Sequence, residues 1–328
     1  MPWQVSAKPG HAHQLGSMLV PAHDVYHFRR PLRQHRVRRA HRAAVSMAAD
    51  AQHIMVNACT GKMGHATAEA VVRAGLSLVP YSFTGSSEAV AVGNVGVEGI
   101  PVELVGPEER QQAMEQAKRE YPDMIIIDFT LPQAVNGNAK FYCQNQVPFV
   151  MGTTGGDRHQ LLEDTESAGV YAVIAPQMGK QVVAFQAMME MMAQQFPGAF
   201  SGYNLAVTES HQVTKADTSG TAKAVVASLQ KLGLDFSESQ IKKVRDKGAQ
   251  LDEMHVPSNA LDGHAFHTYT LTSPDDSVSF QFQHNVCGRQ IYAEGTVDAA
   301  IFLSKQVKGQ TDQRIFNMID VLKAGAMR

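Results

Sequence analysis

A regular alternation of short apolar runs with helical stretches, which begins near residue 53, constrains the fold of this chain more than any other feature. Four runs rich in apolar and β-branched residues are typical of buried strands, and they cover 53–57, 124–128, 148–151 and 170–174. Another strand is predicted at 76–83, with helical periods at 63–74, 108–120, 132–144 and 156–168. This alternation predicts an α/β fold with a Rossmann-like, doubly wound parallel sheet.

The pattern changes after residue 177. A Met-rich helix is predicted at 179–195, followed by a strand at 203–211, a helix at 220–232 and strands at 263–271 and 277–286. Mostly antiparallel strands with helices predict a second, α+β domain over 178–287. The helical period at 293–307 and the amphipathic stretch at 314–323 are expected to return to the first domain, which therefore comprises 50–177 and 288–328.

The first 49 residues differ in charge from the rest. They contain 8 of the 29 Lys and Arg residues, 6 of the 14 histidines and one of the 31 acidic residues, Asp24. Segments rich in arginine and poor in acids are typical of organelle transit peptides, so a transit peptide over 1–49 that directs the protein to the plastid, in the chloroplast stroma, is predicted. A disordered basic tail is the alternative, and the scarcity of Ser and Thr counts in its favour.

The rest of the chain excludes several kinds of partner. Beyond residue 49, 21 basic and 30 acidic residues give a formal charge of −9, which would repel a nucleic-acid backbone. No run approaches the roughly 20 apolar residues that a membrane span needs. Cys59, Cys143 and Cys287 have neither disulfide nor metal-ligand spacing, so reduced thiols and no metal are expected.

The first motif with a chemical meaning is the loop VNACTGKMG, between the first strand and the first helix. Glycines at such a turn let the backbone approach a pyrophosphate, whose charge then meets free N–H groups at the helix N-terminus. Ala58 replaces the first glycine of the usual pattern and adds a methyl group at the turn. Dinucleotide binding is favoured over a plain turn, and the predicted contacts are Ala58, Thr60, Gly61, Lys62, Met63 and Gly64.

The end of the second strand is where an acid would bind the ribose 2′-hydroxyl of NAD and exclude the phosphate of NADP. Tyr81-Ser82-Phe83-Thr84 offers hydroxyls and no acid. Lys62 is either a cation for that phosphate or a solvated surface lysine. NADPH is therefore the predicted cofactor of the first domain, with NADH also possible, and Ser82 and Thr84 are predicted contacts.

Small and hydroxyl residues follow two more predicted strands. Phe129 and Thr130 come after one strand, and Gly152, Thr153 and Thr154 come after the next. Because ligands of open parallel sheets bind beyond the carboxyl ends of the strands, these residues are expected beside the nicotinamide and its ribose. Ordinary turn signals are the alternative interpretation.

The segment ESHQVTKADTSGT, residues 209–221, brings an imidazole, an ammonium group and a glycine-hydroxyl turn into one loop. The hydroxyls of Ser219 and Thr221 and the free N–H groups of the following helix are suited to a carboxylate, and Lys215 supplies positive charge. With an unperturbed pKa of roughly 6.5, His211 is suited to proton delivery near neutral pH. A helix N-cap and a histidine satisfied within its strand are the alternatives.

Six motifs in a fixed order carry a resemblance to a known family: VNACTGKMG, DFTLP, VPFVMGTTGGDR, APQMGKQVVAF, ESHQVTKADTSGTAKA and FQHNVCGRQIYAEGTVDA. From residue 53 to its end the chain resembles dihydrodipicolinate reductases of the plant and algal type. The resemblance implies that His211 and Lys215 are catalytic. It implies further contacts, to the substrate carboxylate at Ser219, Gly220 and Thr221 and to the cofactor at Ala175 and Met178.

Some features depart from the bacterial members of that family. Gln212 stands where many of them have a second histidine that contacts substrate, and the following loop is one residue shorter. Gln212 is kept as a predicted substrate contact because its amide can donate a hydrogen bond. By family analogy His284 and Arg289 lie near the pocket, although a surface salt bridge is an equal interpretation for Arg289.

The resemblance also implies a reaction. It is the reduction of 4-hydroxy-tetrahydrodipicolinate to tetrahydrodipicolinate in the diaminopimelate route to lysine, by a homotetramer whose second domain binds substrate and mediates oligomerisation. Another imine or amino-acid dehydrogenase of the same two-domain plan is an alternative, and the loop SHQVTKADTSGT counts against it. A non-catalytic NADPH-binding sensor is a second alternative, against which His211 and Lys215 count.

Overall fold

The computed structural model describes residues 51–326 and residue 328. In its first part the elements follow in the order β1 (His53–Val56), α1 (Lys62–Arg73), β2 (Ser77–Leu78), β3 (Tyr81–Phe83), α2 (Ser86–Val92), β4 (Asn94–Val97), β5 (Ile100–Val105), α3 (Arg110–Glu120), β6 (Ile125–Asp128), α4 (Val135–Gln144), β7 (Phe149–Met151), α5 (Arg158–Ala168) and β8 (Ala172–Ile174). The predicted transit peptide lies outside the described residues.

The second part begins with a long helix. Its elements are α6 (Lys180–Gln195), β9 (Asn204–His211), α7 (Gly220–Lys231), β10 (Lys242–Val244), α8 (Lys247–Asp252), β11 (His264–Thr272), β12 (Ser279–Cys287), α9 (Gln290–Gly309), β13 (Ile315–Phe316) and α10 (Met318–Lys323). No helix among the residues described is long and apolar enough to cross a membrane.

A parallel sheet of six strands, in the order β13-β8-β7-β6-β1-β2, is the centre of the first part. Alternate residues of a strand point to opposite faces. Ile54 and Val56 therefore enter a core with α1, α9 and α10, whereas Met55 enters another with α3, α4 and α5. Helices on both faces confirm the predicted Rossmann-like, doubly wound sheet.

The prediction of one strand over 76–83 is wrong. The segment forms β2, which pairs with β1, and β3, which joins a separate three-stranded sheet in the order β3-β5-β4. Pro80 lies between them and has no N–H to donate to a neighbouring strand, which favours a break at this point. The strands β4 and β5 were not predicted, because Gly96, Gly99 and Pro101 are typical of turns.

The second sheet has four strands in the order β10-β9-β11-β12 and mixes parallel with antiparallel pairs. Helices α6 and α7 cover one of its faces, where Met189 and Leu229 pack against Tyr269 and Leu271. This arrangement confirms the predicted α+β character of the second part.

The last elements return to the parallel sheet. Helix α9 packs against α1 in the first core, and β13 adds to the sheet by pairing Ile315 with Ala172. The stretch at 314–323 was predicted to be amphipathic throughout, but it begins as this strand and becomes helical only at Met318.

Candidate active site

A cavity of about 420 Å³ joins the two parts of the molecule. It is lined by residues that follow β6, β7 and β8 in the parallel sheet, and by residues of β9, β11, β12 and the start of α7. The predicted site residues that line it are Met63, Phe129, Thr130, Gly152, Thr153, Thr154, Met178, His211, Ser219 and Thr221. The structure thus places residues from both predicted sites around one space.

The loop after β1 keeps its tight turn although it lacks the usual first glycine. Ala58 adopts the left-handed region with φ 56°, which costs a residue with a Cβ roughly 1–2 kcal/mol. Its carbonyl accepts a hydrogen bond from the Gly61 N–H at 2.9 Å. A Cβ added to Gly64 would lie 2.0 Å from the Ala58 oxygen. Gly64 is therefore the glycine on which the close approach of loop and helix depends.

The start of α1 forms a backbone cradle suited to a pyrophosphate. Its N-cap, Gly61, has no side chain to satisfy the free N–H groups of the first turn, and Lys62 is exposed beside them. Ser82, which was predicted to contact the cofactor, is fully buried, and its hydroxyl accepts a hydrogen bond from the Cys59 N–H at 3.1 Å. Ser82 therefore stabilises the loop from behind.

A second cavity, of about 450 Å³, lies beyond the end of β3 and is lined by Ala58 and Thr84. Glu88 of α2 also lines it and accepts hydrogen bonds from the hydroxyls of Thr60 and Thr84. Arg110, at the start of α3, also lines this cavity, and its guanidinium carbon lies 4.4 Å from the centroid of the Phe141 ring. Sequence reasoning missed both charged residues, because it examined the strand end itself and Glu88 lies farther along the chain.

The ends of β6 and β7 are tied together at the first cavity. The hydroxyl of Thr153 donates a hydrogen bond to the Thr130 carbonyl at 3.0 Å, and the Thr130 hydroxyl donates to Asp128 at 2.6 Å. A Cβ on Gly152 would lie 2.4 Å from the Phe129 ring, so the ring's position depends on a glycine there. Ala175 is buried in the first core and does not line the cavity.

His211, the last residue of β9, belongs to a cluster of three histidines. Its Nε2 lies 3.2 Å from Nε2 of His267 on β11, so that one ring donates a hydrogen bond and the other accepts it. His267 pairs across the strands with His284 of β12, and their stacked rings have centroids 4.5 Å apart. All three line the first cavity. Sequence reasoning missed His267. It could have been identified because it lies on the predicted strand that precedes the strand of His284, and consecutive strands often pair.

Burial lowers the pKa of all three histidines. Burial, and then the charges of Arg245 and Lys215, lower the pKa of His211 from 6.5 to about 3. Burial also lowers the pKa of His284 to about 4 and that of His267 well below its ordinary value. Proton delivery by His211 was predicted from its unperturbed pKa, which burial lowers here, and it stays a prediction. A neutral imidazole still donates a hydrogen bond, and an anionic ligand beside it would raise its pKa.

Stability is expected to fall as the pH falls below 6.5. The folded protein holds His267 neutral, whereas the unfolded chain binds a proton there at an ordinary pKa of 6.5, so acid favours the unfolded state. One such group costs about 1.4 kcal/mol of unfolding free energy per pH unit, or about 2 kcal/mol from pH 6.5 to about pH 5. Urea unfolding at the two pH values measures this loss. A loss as large in His267→Asn as in the wild type would contradict the prediction.

Lys215 lies in the loop after β9 but outside the cavity lining. Its Nζ is 2.8 Å from both carboxylate oxygens of Asp217. The loop is held by a buried ion pair that sequence reasoning missed, in which Arg245 donates to Glu209 at 2.5 Å and to the Lys215 carbonyl at 2.7 Å. The other Glu209 oxygen accepts a hydrogen bond from the Ser219 N–H at 2.9 Å. Glu209 and Arg245 therefore set the path of the loop.

The turn at 219–221 presents hydroxyls to the cavity at the N-terminus of α7, whose first residue is Gly220. Ser219 makes no side-chain cap, and the Thr221 hydroxyl accepts a hydrogen bond from Gln177 Nε2 at 3.2 Å. Gln212 lines a smaller neighbouring cavity together with Arg289. The hydroxyls and the free N–H groups of the first helical turn together suit a carboxylate.

The strand ends of a nucleotide-binding parallel sheet share a cavity with a mixed sheet lined by histidines. This arrangement defines a class of protein, the pyridine-nucleotide oxidoreductases built from two parts. Two family models match the chain. The model for the N-terminus of dihydrodipicolinate reductase matches residues 52–178, and the model for its C-terminus matches residues 181–322. The chain belongs to the dihydrodipicolinate reductase family.

Relatives with curated names agree with this family. The probable 4-hydroxy-tetrahydrodipicolinate reductase 1, chloroplastic, of Oryza sativa subsp. japonica is 58% identical over 275 residues, which are 84% of this chain and 80% of the relative. The 4-hydroxy-tetrahydrodipicolinate reductase 1, chloroplastic, of Arabidopsis thaliana is 55% identical over 275 residues, 84% of this chain and 79% of the relative.

One solved structure supports the fold. A dipicolinate-bound dihydrodipicolinate reductase from Paenisporosarcina sp. TG-14 matches with a TM-score of 0.56 and 17% identity, and the match covers 81% of this chain and 97% of that chain.

Proposed function

We propose that this protein reduces 4-hydroxy-tetrahydrodipicolinate to tetrahydrodipicolinate with NAD(P)H, in the diaminopimelate route to lysine. The observation that carries the proposal is the shared cavity, which His211 and the turn at 219–221 line together with Phe129 and Thr154. A ring with two carboxylates bound at the turn would lie beside the nicotinamide. The curated names of the rice and Arabidopsis relatives support the same reaction.

The residues around the two cavities fit a dinucleotide. The glycine cradle at 58–64 would hold the pyrophosphate, and Thr84 and Glu88 would meet the adenosine ribose. The nicotinamide end would contact Phe129, Thr130, Gly152, Thr153, Thr154 and Met178, with Ala175 buried in the adjoining core. NAD(P)H supplies the hydride when bound, and the chain supplies position and charge.

The substrate carboxylates are proposed to bind the hydroxyls of Ser219 and Thr221 and the N–H groups at the start of α7, with Gln212 close by. The ion pair between Lys215 and Asp217 would break, and Lys215 would pair with a substrate carboxylate instead. The Asp217 side chain is 77% exposed, and exposed ion pairs are weak. His211 would donate a hydrogen bond to the ring. The bound dianion raises the pKa of His211, so that His211 and Lys215 are the two candidates for proton delivery.

We propose that both NADPH and NADH are used. Glu88 in the second cavity is suited to a ribose diol, whereas Arg110 in the cavity and Lys62 in the loop are suited to a 2′-phosphate. The absence of an acid at Tyr81 to Thr84 favoured NADPH. Glu88 supports NADH as well, because its carboxylate can accept hydrogen bonds from both ribose hydroxyls.

Glu88→Gln is expected to raise the ratio of kcat/KM for NADPH to that for NADH by about 5-fold, since about 1 kcal/mol of repulsion between a carboxylate and the 2′-phosphate is removed. Initial rates at 340 nm with each cofactor measure the ratio. Glu108→Gln, on an exposed side chain near the same region, is the control. An unchanged ratio in Glu88→Gln would exclude Glu88 as the determinant.

The proposed reaction is tested with purified protein, a reduced cofactor and the product of dihydrodipicolinate synthase, followed at 340 nm. Oxidation that depends on this substrate supports the reductase. Oxidation with another imine or keto acid instead would favour a different dehydrogenase of the same plan. Cofactor binding without turnover of any substrate would favour the sensor.

Three further features belong to the proposal. We propose that 50–177 and 288–328 form the dinucleotide-binding domain and that 178–287 bind substrate and mediate oligomerisation. The pairing of β13 with β8 supports this division. A homo-oligomer, tetrameric by the resemblance, is supported by exposed Met191 and Phe280 in the second part. A plastid location, in the stroma, is supported by the chloroplastic relatives and by the composition of 1–49.

A further inference from the structure

We propose that His211 and His267, with Glu209 beside them, form a binding site for a zinc ion that competes with the dicarboxylate substrate. No structural or catalytic role is assigned to this ion, which would inhibit the protein. The two imidazoles meet at the wall of the first cavity, and one ligand atom from each of the three side chains lies within 4.8 Å of the other two.

The distance between the two rings fits zinc. Their Nε2 atoms are 3.2 Å apart. Zinc binds imidazole nitrogens at about 2.0–2.1 Å in a tetrahedral arrangement, which places two such ligands about 3.3 Å from each other. The separation of the two nitrogens therefore already matches a shared zinc ion, and each ring would turn so that its lone pair points at the ion.

The hydrogen bond between the rings leaves a nitrogen lone pair for a metal ion. One of the two Nε2 atoms accepts that bond and so already presents a lone pair toward the other ring. Zinc binding requires His267 to carry its ring proton on Nδ1. His211 must likewise carry its ring proton on Nδ1, so that both facing Nε2 atoms offer a lone pair. The Nδ1 of His267 is buried and has no hydrogen-bond partner among the described residues, so a proton there breaks no existing hydrogen bond.

Carboxylates reduce the positive charge beside the pair. Arg245 is ion-paired with Glu209, and Lys215 is ion-paired with Asp217, while both cations still act on His211. Glu209 is the third ligand only if it loosens its contact with Arg245, so the two histidines carry most of the affinity. The remaining coordination positions face the cavity and would be taken by water. With two histidine ligands, we expect an affinity for zinc in the micromolar range. A structural site with four protein ligands would bind zinc more tightly.

The proposal is tested by the thermal unfolding of the tag-free full chain with and without about 100 µM zinc chloride. A ligand that binds only the folded state raises the Tm, and a rise of about 2–4 °C is expected for a chain of this size. The variants below keep the six histidines within 1–49, so the difference between each variant and the wild type reports the proposed site. His267→Asn should show no rise, whereas His159→Asn, which removes a side chain that is 90% exposed, should behave as the wild type.

Two results would overturn the proposal: no rise in the wild type, or a rise of equal size in His267→Asn. If His267→Asn does not fold by circular dichroism, His211→Asn removes the other ligand and is compared in the same way. Zinc inhibition that is competitive with the dicarboxylate is also expected, and this part rests on the proposed function. A Tm rise without inhibition would retain the zinc site and count against the reaction proposed for it.

Discussion

Replacing His211 with alanine is expected to lower kcat by about 100-fold or more, the range for the loss of a positioned acid or hydrogen-bond donor. The imidazole lies at the end of β9, 7% exposed, on the cavity that the two parts of the chain share. Its removal takes away the imidazole of β9, and His267, whose Nε2 lies 3.2 Å from that of His211, is on a different strand. The affinity for NADPH should change little, because the predicted cofactor contacts are on other segments.

The measurement is the initial rate of cofactor oxidation at 340 nm with saturating dicarboxylate substrate, together with a binding titration of NADPH. His159→Ala, on the exposed surface of α5, is the matched control and should retain full activity. His211→Gln keeps a hydrogen-bond donor without a titratable group, so it separates donation of a hydrogen bond from transfer of a proton. A kcat near that of the wild type in His211→Ala would exclude the proposed role.

Replacing Gly64 with alanine is expected to raise the KM for NADPH at least about 10-fold and to lower stability by about 1–3 kcal/mol, as overpacking does. The new Cβ would lie 2.0 Å from the Ala58 oxygen and 2.6 Å from the Ala58 carbonyl carbon. Both are backbone atoms, so no side-chain rotation relieves the clash. Either α1 or the loop must move, and the cradle for the pyrophosphate moves with it.

Gly137→Ala is the matched control for this change. Gly137 lies in α4, which packs on the same parallel sheet, and among the described residues no atom beyond its chain neighbours and the backbone of its own helix lies within 4 Å of an added Cβ. Alanine there should be neutral or stabilising by about 0.5–1 kcal/mol, because glycine within a helix is unfavourable. Gly64→Ala with the KM and Tm of the wild type would show that the loop tolerates the shift, and would remove the argument for a rigid cradle.

Local patterns predicted most of the parallel sheet. The runs that became β1, β6, β7 and β8 were identified because strands covered on both faces need continuous apolar residues, which is visible without knowledge of the fold. Strands rich in glycine and proline, such as β4 and β5, carry no such signal. The segment 76–83 divides at Pro80 because its first half pairs with one sheet and its second half with another. The local sequence pattern does not show which sheet each half joins.

The candidate site was predicted in part. Residues carried by motifs, such as His211 and Gly64, were found because the chemistry or the backbone geometry requires them at a fixed spacing. Residues that act through a distant partner were missed. Glu88 meets Thr60 from another element, and His267 meets His211 across two strands, 56 residues apart in sequence.

The sequence by itself determined the class of fold, the dinucleotide loop and the family, since these depend on the order and spacing of residue types along the chain. The tertiary structure alone decided that the pKa of His211 is lowered and that its ring faces a second imidazole, that Lys215 is paired with Asp217, and that an acid enters the second cavity. Burial and charge act through distances in space. Residues far apart in the chain therefore set the pKa values and contacts of the site, and only the folded arrangement defines those distances.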